Sequence, residues 1–274
     1  VAFNALNIGR FKLAAMSLGP ARDAIWESTQ YALDRKQFGR SISEFGLIRQ
    51  KIADMAAHYF AAESALYRTG ANIDAAFAER GGTVDGNRAA AEEFAVECSA
   101  IKILATEAEA RIVDEALQIF GGYGFTEEFP LARAYRDARV SRIYEGTNEI
   151  NRIFLADRLK RRAEAGRASL AAVGDSFVSE LAGAALAKYR PDQVTVGALS
   201  DLLLLTYAEQ SARLRARQVG GAAQLAWERF SNWANVQAAM AYQTVTGEPV
   251  TVPAPRPGHV DELADAVLSA RSPV

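Results

Sequence analysis

Apolar residues recur at three- and four-residue spacing along most of the chain, and strict apolar–polar alternation is rare, so the pattern predicts helices almost throughout. From Val1 to about Leu33, the positions Leu6, Leu13, Met16, Ala24, Ile25 and Tyr31 predict one long amphipathic helix, in which Pro20 calls for a kink or a break. A polar turn follows from Asp34 to Ser43. Phe45 to Gly70 reads as the next helix, burying Leu47, Ile48, Ile52, Met55, Ala56, Tyr59 and Phe60. Gly81-Gly82 and Asp85-Gly86-Asn87 predict a loop over residues 78–88. A third helix runs from about Ala89 to Phe120, with Cys98 packed as a small hydrophobe among Phe94, Val96, Ile101, Ile103, Leu104 and Ile112. Arg133 to Arg142 suits a short helix or turn, and Ile150, Ile153, Phe154 and Leu159 return to helical spacing.

Beyond Leu159, Lys160 to Arg167 reads as a basic, solvated helix end. Residues 168–246 predict two or three more helices, broken near Gly174 and near Pro191 to Gly197. Trp227, Phe230 and Trp233 fall near one helical face, as core or partner contact. Gly247 to Gly258 is proline-rich and extended, and His259 begins a final helix from Val260 to about Ala270. The class that emerges is all-α.

Composition narrows the functions open to such a fold. The 274 residues are half apolar, enough for a sizeable core, and the formal charge of −2 with interspersed signs gives no footprint for nucleic acid. Cys98 is the single cysteine, which rules out an intrachain disulfide and points to a reducing, cytosolic or matrix-like compartment. His58 has no second His or Cys at ligand spacing, so it reads as a packed histidine and no metal site is expected. The chain starts Val-Ala-Phe without an initiator methionine, as a processed protein or a fragment would.

Candidate chemistry lies where the helices are interrupted. Arg35, Gln37 and Phe38, beside Gly39, place a fixed cation, an amide and a ring together, as a surface loop or as a grip for a phosphate and a flat ring. Gln118 precedes Gly121-Gly122-Tyr123-Gly124, which is either a glycine helix end or bare backbone on which a ligand can lie. Arg136-Asp137 reads as an ion pair or backbone anchor. In Tyr144-Glu145-Gly146-Thr147, Glu145 is a carboxylate just ahead of a helix that Thr147 or Asn148 would cap; it is open to a capping role or to work as a general base.

These three stretches, Asp34-Arg35-Lys36-Gln37-Phe38-Gly39, Gln118 to Gly124 and Tyr144 to Thr147, occur in the order and at the separations that resemble the C-terminal helical domain of the FAD-dependent acyl-CoA dehydrogenases. The resemblance covers roughly Val1 to Leu159. Asn7 to Phe11 and the long region after Leu159 are similar to the very-long-chain branch, which carries an additional helical domain. The organisation implied is an up-and-down helical bundle over residues 1–159 followed by a second helical domain over 160–274.

The resemblance implies that Glu145 removes the α-proton of a fatty acyl-CoA thioester, giving the trans-2-enoyl product as hydride leaves the β-carbon for FAD. Some members hold the base one position before the arginine of the first helix; here that position is Gly9. Arg10, Tyr144 and Gly146 are expected to contact substrate, although Arg10 is equally readable as a helix-pairing residue. Arg35, Gln37, Phe38, Gln118, Gly121 and Gly122 are expected to meet the FAD of a neighbouring subunit, and Thr147 the FAD of its own. A homodimer or homotetramer, an electron-transferring flavoprotein as acceptor, and peripheral membrane contact through the extension are implied as well. The family places an N-terminal helical domain and a β-domain ahead of this region. Two other readings follow: a helical oligomerisation module without catalysis of its own, and an acyl-CoA oxidase.

Overall fold

The computed structural model describes residues 2–81, 83–164, 175–188, 190, 192–255 and 259–270. It is all-α among those residues apart from one small hairpin. In chain order come α1 (Ala2–Asp34), strands β1 (Lys36–Gln37) and β2 (Arg40–Ser41), a 3-10 turn (Ile42–Glu44), α2 (Gly46–Glu79), α3 (Val84–Glu93), α4 (Ala95–Phe120) and the short α5 (Gly122–Phe125). Then follow α6 (Pro130–Ser141), α7 (Asn148–Glu164), α8 (Phe177–Lys188), α9 (Gln193–Val219), α10 (Ala222–Thr246) and α11 (Val260–Leu268).

Helices α2 and α4 form the middle of the molecule because each is apolar on two faces. One face of the pair, with Ile52, Met55, Ile101 and Ile112, packs on Ala14, Leu18 and Ala21 of α1 and on Leu131 of α6. The other, with Ala57, Ala61, Val96 and Ile103, shares a second cluster with Leu155 of α7, Leu199 and Leu202 of α9, and Trp227 and Phe230 of α10. Many of these positions are alanine, which lets helix axes approach closely. The region after residue 160 therefore packs on the same central helices as the first. Ion pairs tie the two together: Arg229 Nε to Asp54 at 2.7 Å, Arg215 Nη1 to Glu63 at 2.5 Å and Arg152 Nε to Asp201 at 2.7 Å.

Several local expectations are corrected. Of the kink or break expected at Pro20, the break does not occur, since α1 is one helix from Ala2 to Asp34. The carbonyl that Pro20 leaves without its N–H partner is that of Met16, a residue on the exposed side of the helix. Asp85, Gly86 and Asn87 lie in the first turns of α3 rather than in a loop, because the Thr83 hydroxyl accepts from Gly86 N at 3.1 Å and caps a helix there. The helix expected from Ala89 is split at Phe94 into α3 and α4. Gly197 is inside α9, which Asp192 caps by accepting from Thr195 N at 3.0 Å. Arg136 pairs with Glu127 at 3.2 Å rather than with Asp137. The break expected near Gly174 and the residues 165–167 of the basic stretch lie outside the described residues.

His58 and Cys98 are buried as expected. His58 meets the rings of Trp233 and Phe230 edge-on, at centroid distances of 4.5 and 5.6 Å. Burial, then the charges of Arg111 and Arg229, push its pKa down to about 3.

Candidate active site

Between α6 and α7 the chain turns over residues 142–147, and Asn148 N closes the turn on the Arg142 carbonyl at 3.1 Å. Glu145 and Gly146 are both left-handed, with φ of 55° and 85°. For Glu145 this conformation costs roughly 1–2 kcal/mol, which the surroundings must offset. They do so by gripping the carbonyls of the turn. Arg10 Nε donates to Glu145 O at 3.2 Å, Lys102 Nζ to Gly146 O at 3.0 Å, and Asn151 Nδ2 to Gly146 O at 2.8 Å and Thr147 O at 3.0 Å. Thr147 is the residue that caps α7, its hydroxyl accepting from Ile150 N at 3.3 Å.

This backbone aims the half-buried Glu145 side chain at α1 where Gly9 carries no side chain. A Cβ added at Gly9 would lie 2.6 Å from Glu145 Oε2, 2.7 Å from Cδ and 2.8 Å from Oε1, so the carboxylate occupies the space that any side chain at position 9 would need. Oε2 is buried and accepts no hydrogen bond, which leaves a lone pair free to take a proton. A side chain at position 9 and the Glu145 carboxylate as placed thus exclude each other in space.

Arg10 is placed behind the turn and is 2% exposed. Besides Glu145 O, it donates from Nη1 to Asn7 Oδ1 at 3.2 Å and lies 5.0 Å over the Phe154 ring. Burial lowers its pKa and the Glu145 charge opposes that shift. Its contact is with the backbone of Glu145, as a strut. Tyr144, 55% exposed, borders a separate cleft of ≈380 Å³ with Leu13, Met16 and Pro20. Gly146 presents only backbone at the turn.

A second cluster forms on another part of the surface. Phe38 and Gly39, with φ of 53° and 83°, make the two-residue turn that joins β1 to β2, a hairpin that the polar composition of residues 34–43 did not announce. The hairpin brings Arg35, Gln37 and Phe38 to the end of α4, where they line a cleft of ≈820 Å³ with Gly121, Gly122 and Tyr123. Phe38 is 92% exposed, and the Arg35 guanidinium stands 5.6 Å over the Tyr123 ring. Gly121 has φ 61°, and a Cβ added at Gly121 or Gly122 would meet nothing within 4 Å, so the cleft floor is open backbone. Cation, amide, ring and bare backbone fit part of an anionic dinucleotide such as FAD. Gln118 is outside this lining and is exposed; its carbonyl accepts from Gly121 N at 3.1 Å and ends α4. Neither Glu145 nor Thr147 lines the cleft.

Sequence reasoning passed over Lys102, Asn148 and Asn151 as functional residues, all 3% exposed or less. One signal was present: Lys102 stands between Ile101 and Ile103 in the otherwise apolar run Ala100 to Ala105, where a charge needs a partner. Asn148 and Asn151 carried no such mark.

Residues 1–160 match the family model described as acyl-CoA dehydrogenase, C-terminal domain. A probable acyl-CoA dehydrogenase of Bacillus subtilis is 42% identical over 187 residues, covering 66% of this chain and 31% of that protein. The human very long-chain specific acyl-CoA dehydrogenase, mitochondrial, is 40% identical over 156 residues, covering 57% of this chain and 22% of that protein. A crystal structure of an acyl-CoA dehydrogenase complexed with FAD from Bacillus anthracis matches with TM-score 0.80 and 30% identity, over 100% of this chain and 54% of its own. The chain spans a third or less of the length of these two curated relatives.

Proposed function

The chain belongs to the acyl-CoA dehydrogenase family, whose C-terminal domain it matches, and from that premise we propose that it is the C-terminal part of an FAD-dependent enzyme that desaturates a fatty acyl-CoA between Cα and Cβ, with Glu145 as the base. The observation that carries this reading is the seating of Glu145: a left-handed residue whose carboxylate rests over Gly9 with an unbonded buried oxygen. A carboxylate fixed in that way meets the geometric demand on a general base, which is to hold its lone pair still at the place where the proton leaves.

In the proposed reaction Glu145 takes the α-proton. Tyr144 and the backbone of Gly146 border the thioester, and the Glu145 backbone N–H polarises its carbonyl, which stabilises charge developing at Cα. When bound, FAD supplies the acceptor for the hydride that leaves Cβ. The residues that would hold it are Arg35, Gln37, Phe38, Gly121 and Gly122 at one cleft, with Thr147 beside the Glu145 turn. Gln118 would contribute through the helix end it closes. That the cleft and the Glu145 turn are separate surfaces supports sites shared between subunits of a homo-oligomer. An electron-transferring flavoprotein is the proposed electron acceptor. A long-chain acyl group is the proposed substrate, and residues 160–274 the additional helical domain; the match of the Bacillus anthracis structure over the whole chain supports treating that region as part of the enzyme.

The test is Glu145→Gln in the full-length protein, which keeps the shape and removes the base. FAD content should be unchanged, while exchange of the substrate α-proton falls by about 10²–10⁴-fold. Retained exchange would overturn the assignment.

A further inference from the structure

Behind the Glu145 turn lies an ammonium group that no proton transfer uses. Lys102, on α4, is 0% exposed, and a lysine is buried at such a place only when its N–H groups find acceptors. Its Nζ donates to the Gly146 carbonyl at 3.0 Å and to Asn148 Oδ1 at 2.6 Å. Asn148 in turn gives Nδ2 to Thr106 Oγ1 at 3.1 Å and to Glu107 Oε1 at 3.0 Å. Arg152 grips both oxygens of Glu107, at 2.7 and 2.9 Å, and sends Nε to Asp201 of α9 at 2.7 Å. A continuous chain of charge-assisted bonds therefore runs from the carbonyl next to Glu145 to a helix of the region after residue 160.

If Lys102 served only to stabilise the core, an apolar side chain of similar length would fill the space without desolvating a charge. Its hydrogen bonds point elsewhere. They go to a backbone carbonyl in the turn where two successive residues are left-handed and to the side-chain amide of Asn148, the first residue of α7. We propose that Lys102 is a positioning residue for Glu145: by holding Gly146 O and Asn148 it keeps the turn in the conformation that seats the carboxylate over Gly9. This rests on Glu145 being the base.

The groups that face Lys102 are Glu107 on its own helix, Arg10 from α1, Glu149 from α7 and Glu145 from the turn. Burial draws its pKa down to about 8, against the attraction of Glu107. A neutral amine donates more weakly than an ammonium, so the grip loosens as pH rises through that value. An arginine in its place would stay charged.

The experiment uses the full-length flavoprotein with Lys102→Met, Lys102→Arg and Asn148→Ala, and reads α-proton exchange per bound FAD, KM, thermal midpoint and pH profile. Lys102→Met should slow exchange about 10- to 100-fold with KM and FAD per chain within about twofold, since a misplaced base loses rate before it loses binding. Lys102→Arg should recover exchange and lose the alkaline fall near pH 8. Exchange per flavin unchanged in Lys102→Met, whatever its thermal midpoint, overturns the proposal. If that variant does not fold, Asn148→Ala removes the other end of the grip and leaves α4 intact; normal exchange there overturns it equally. An inactive Glu145→Gln beside a normal Lys102→Met refutes this inference alone, whereas an active Glu145→Gln refutes the assignment of the base.

Discussion

Replacing Gly9 by alanine should make the protein more stable and the enzyme slower. Gly9 lies within α1, away from its ends, where alanine is worth about 0.5–1 kcal/mol over glycine through the conformational entropy of the unfolded chain. The added methyl would stand 2.6 Å from Glu145 Oε2, whereas ordinary contact begins near 3.4 Å. The atom in the way is the end of a flexible side chain, so the carboxylate gives way and the helix does not; the retreat needed is about 0.8 Å, a displacement of the order that costs up to 10²-fold in rate. Denaturant unfolding of the full-length variant should show stability equal to or above that of the parent. Exchange of the substrate α-proton should fall about 10- to 100-fold at unchanged FAD content. A Gly9→Ala protein with normal exchange would show that the carboxylate does not work from its seat over α1. A protein that lost stability by several kcal/mol would show that the backbone, and not Glu145, had yielded.

Two further outcomes follow from other parts of the molecule. Arg35→Gln keeps a donor in the Gly121 cleft but removes its charge, and should weaken FAD retention about 10- to 100-fold, read from flavin absorbance after dialysis; full retention would separate that cleft from the cofactor. His58 has its folded pKa depressed from 6.5 to about 3, so the unfolded chain takes up a proton first as pH falls. Its contribution to stability is complete above about pH 6.5 and is lost towards pH 3, by up to ~4–5 kcal/mol. His58→Phe, which keeps a ring against Trp233 and Phe230, should flatten that part of the acid unfolding curve, and an unchanged acid limb would count against the assignment.

Helix positions were legible from spacing because an amphipathic helix repeats every turn, and the Glu145 stretch stood out because it interrupts that repeat. Boundaries set by a single hydrogen bond were not legible. The Thr83 cap that draws Asp85 to Asn87 into a helix has no periodic signature, and the hairpin at Lys36 to Ser41 is too short for one. The cofactor motifs were readable as residue types, but Gln118 was grouped with Gly121 although helical rotation turns it away from the cleft they line. Arg10 was visible as a cation; that it is buried against Phe154 and spends its N–H on the Glu145 carbonyl was not.

The sequence by itself determined the helical class, the stretches where chemistry could sit and the family resemblance, since each of these is local or ordered along the chain. Only the tertiary structure decided how Glu145 is held. Gly9 and Lys102 are 136 and 43 residues away from it along the chain, on two different helices. A glycine that leaves room for a carboxylate and a lysine that pins the neighbouring carbonyl act through distance and direction in space, and helical spacing records neither.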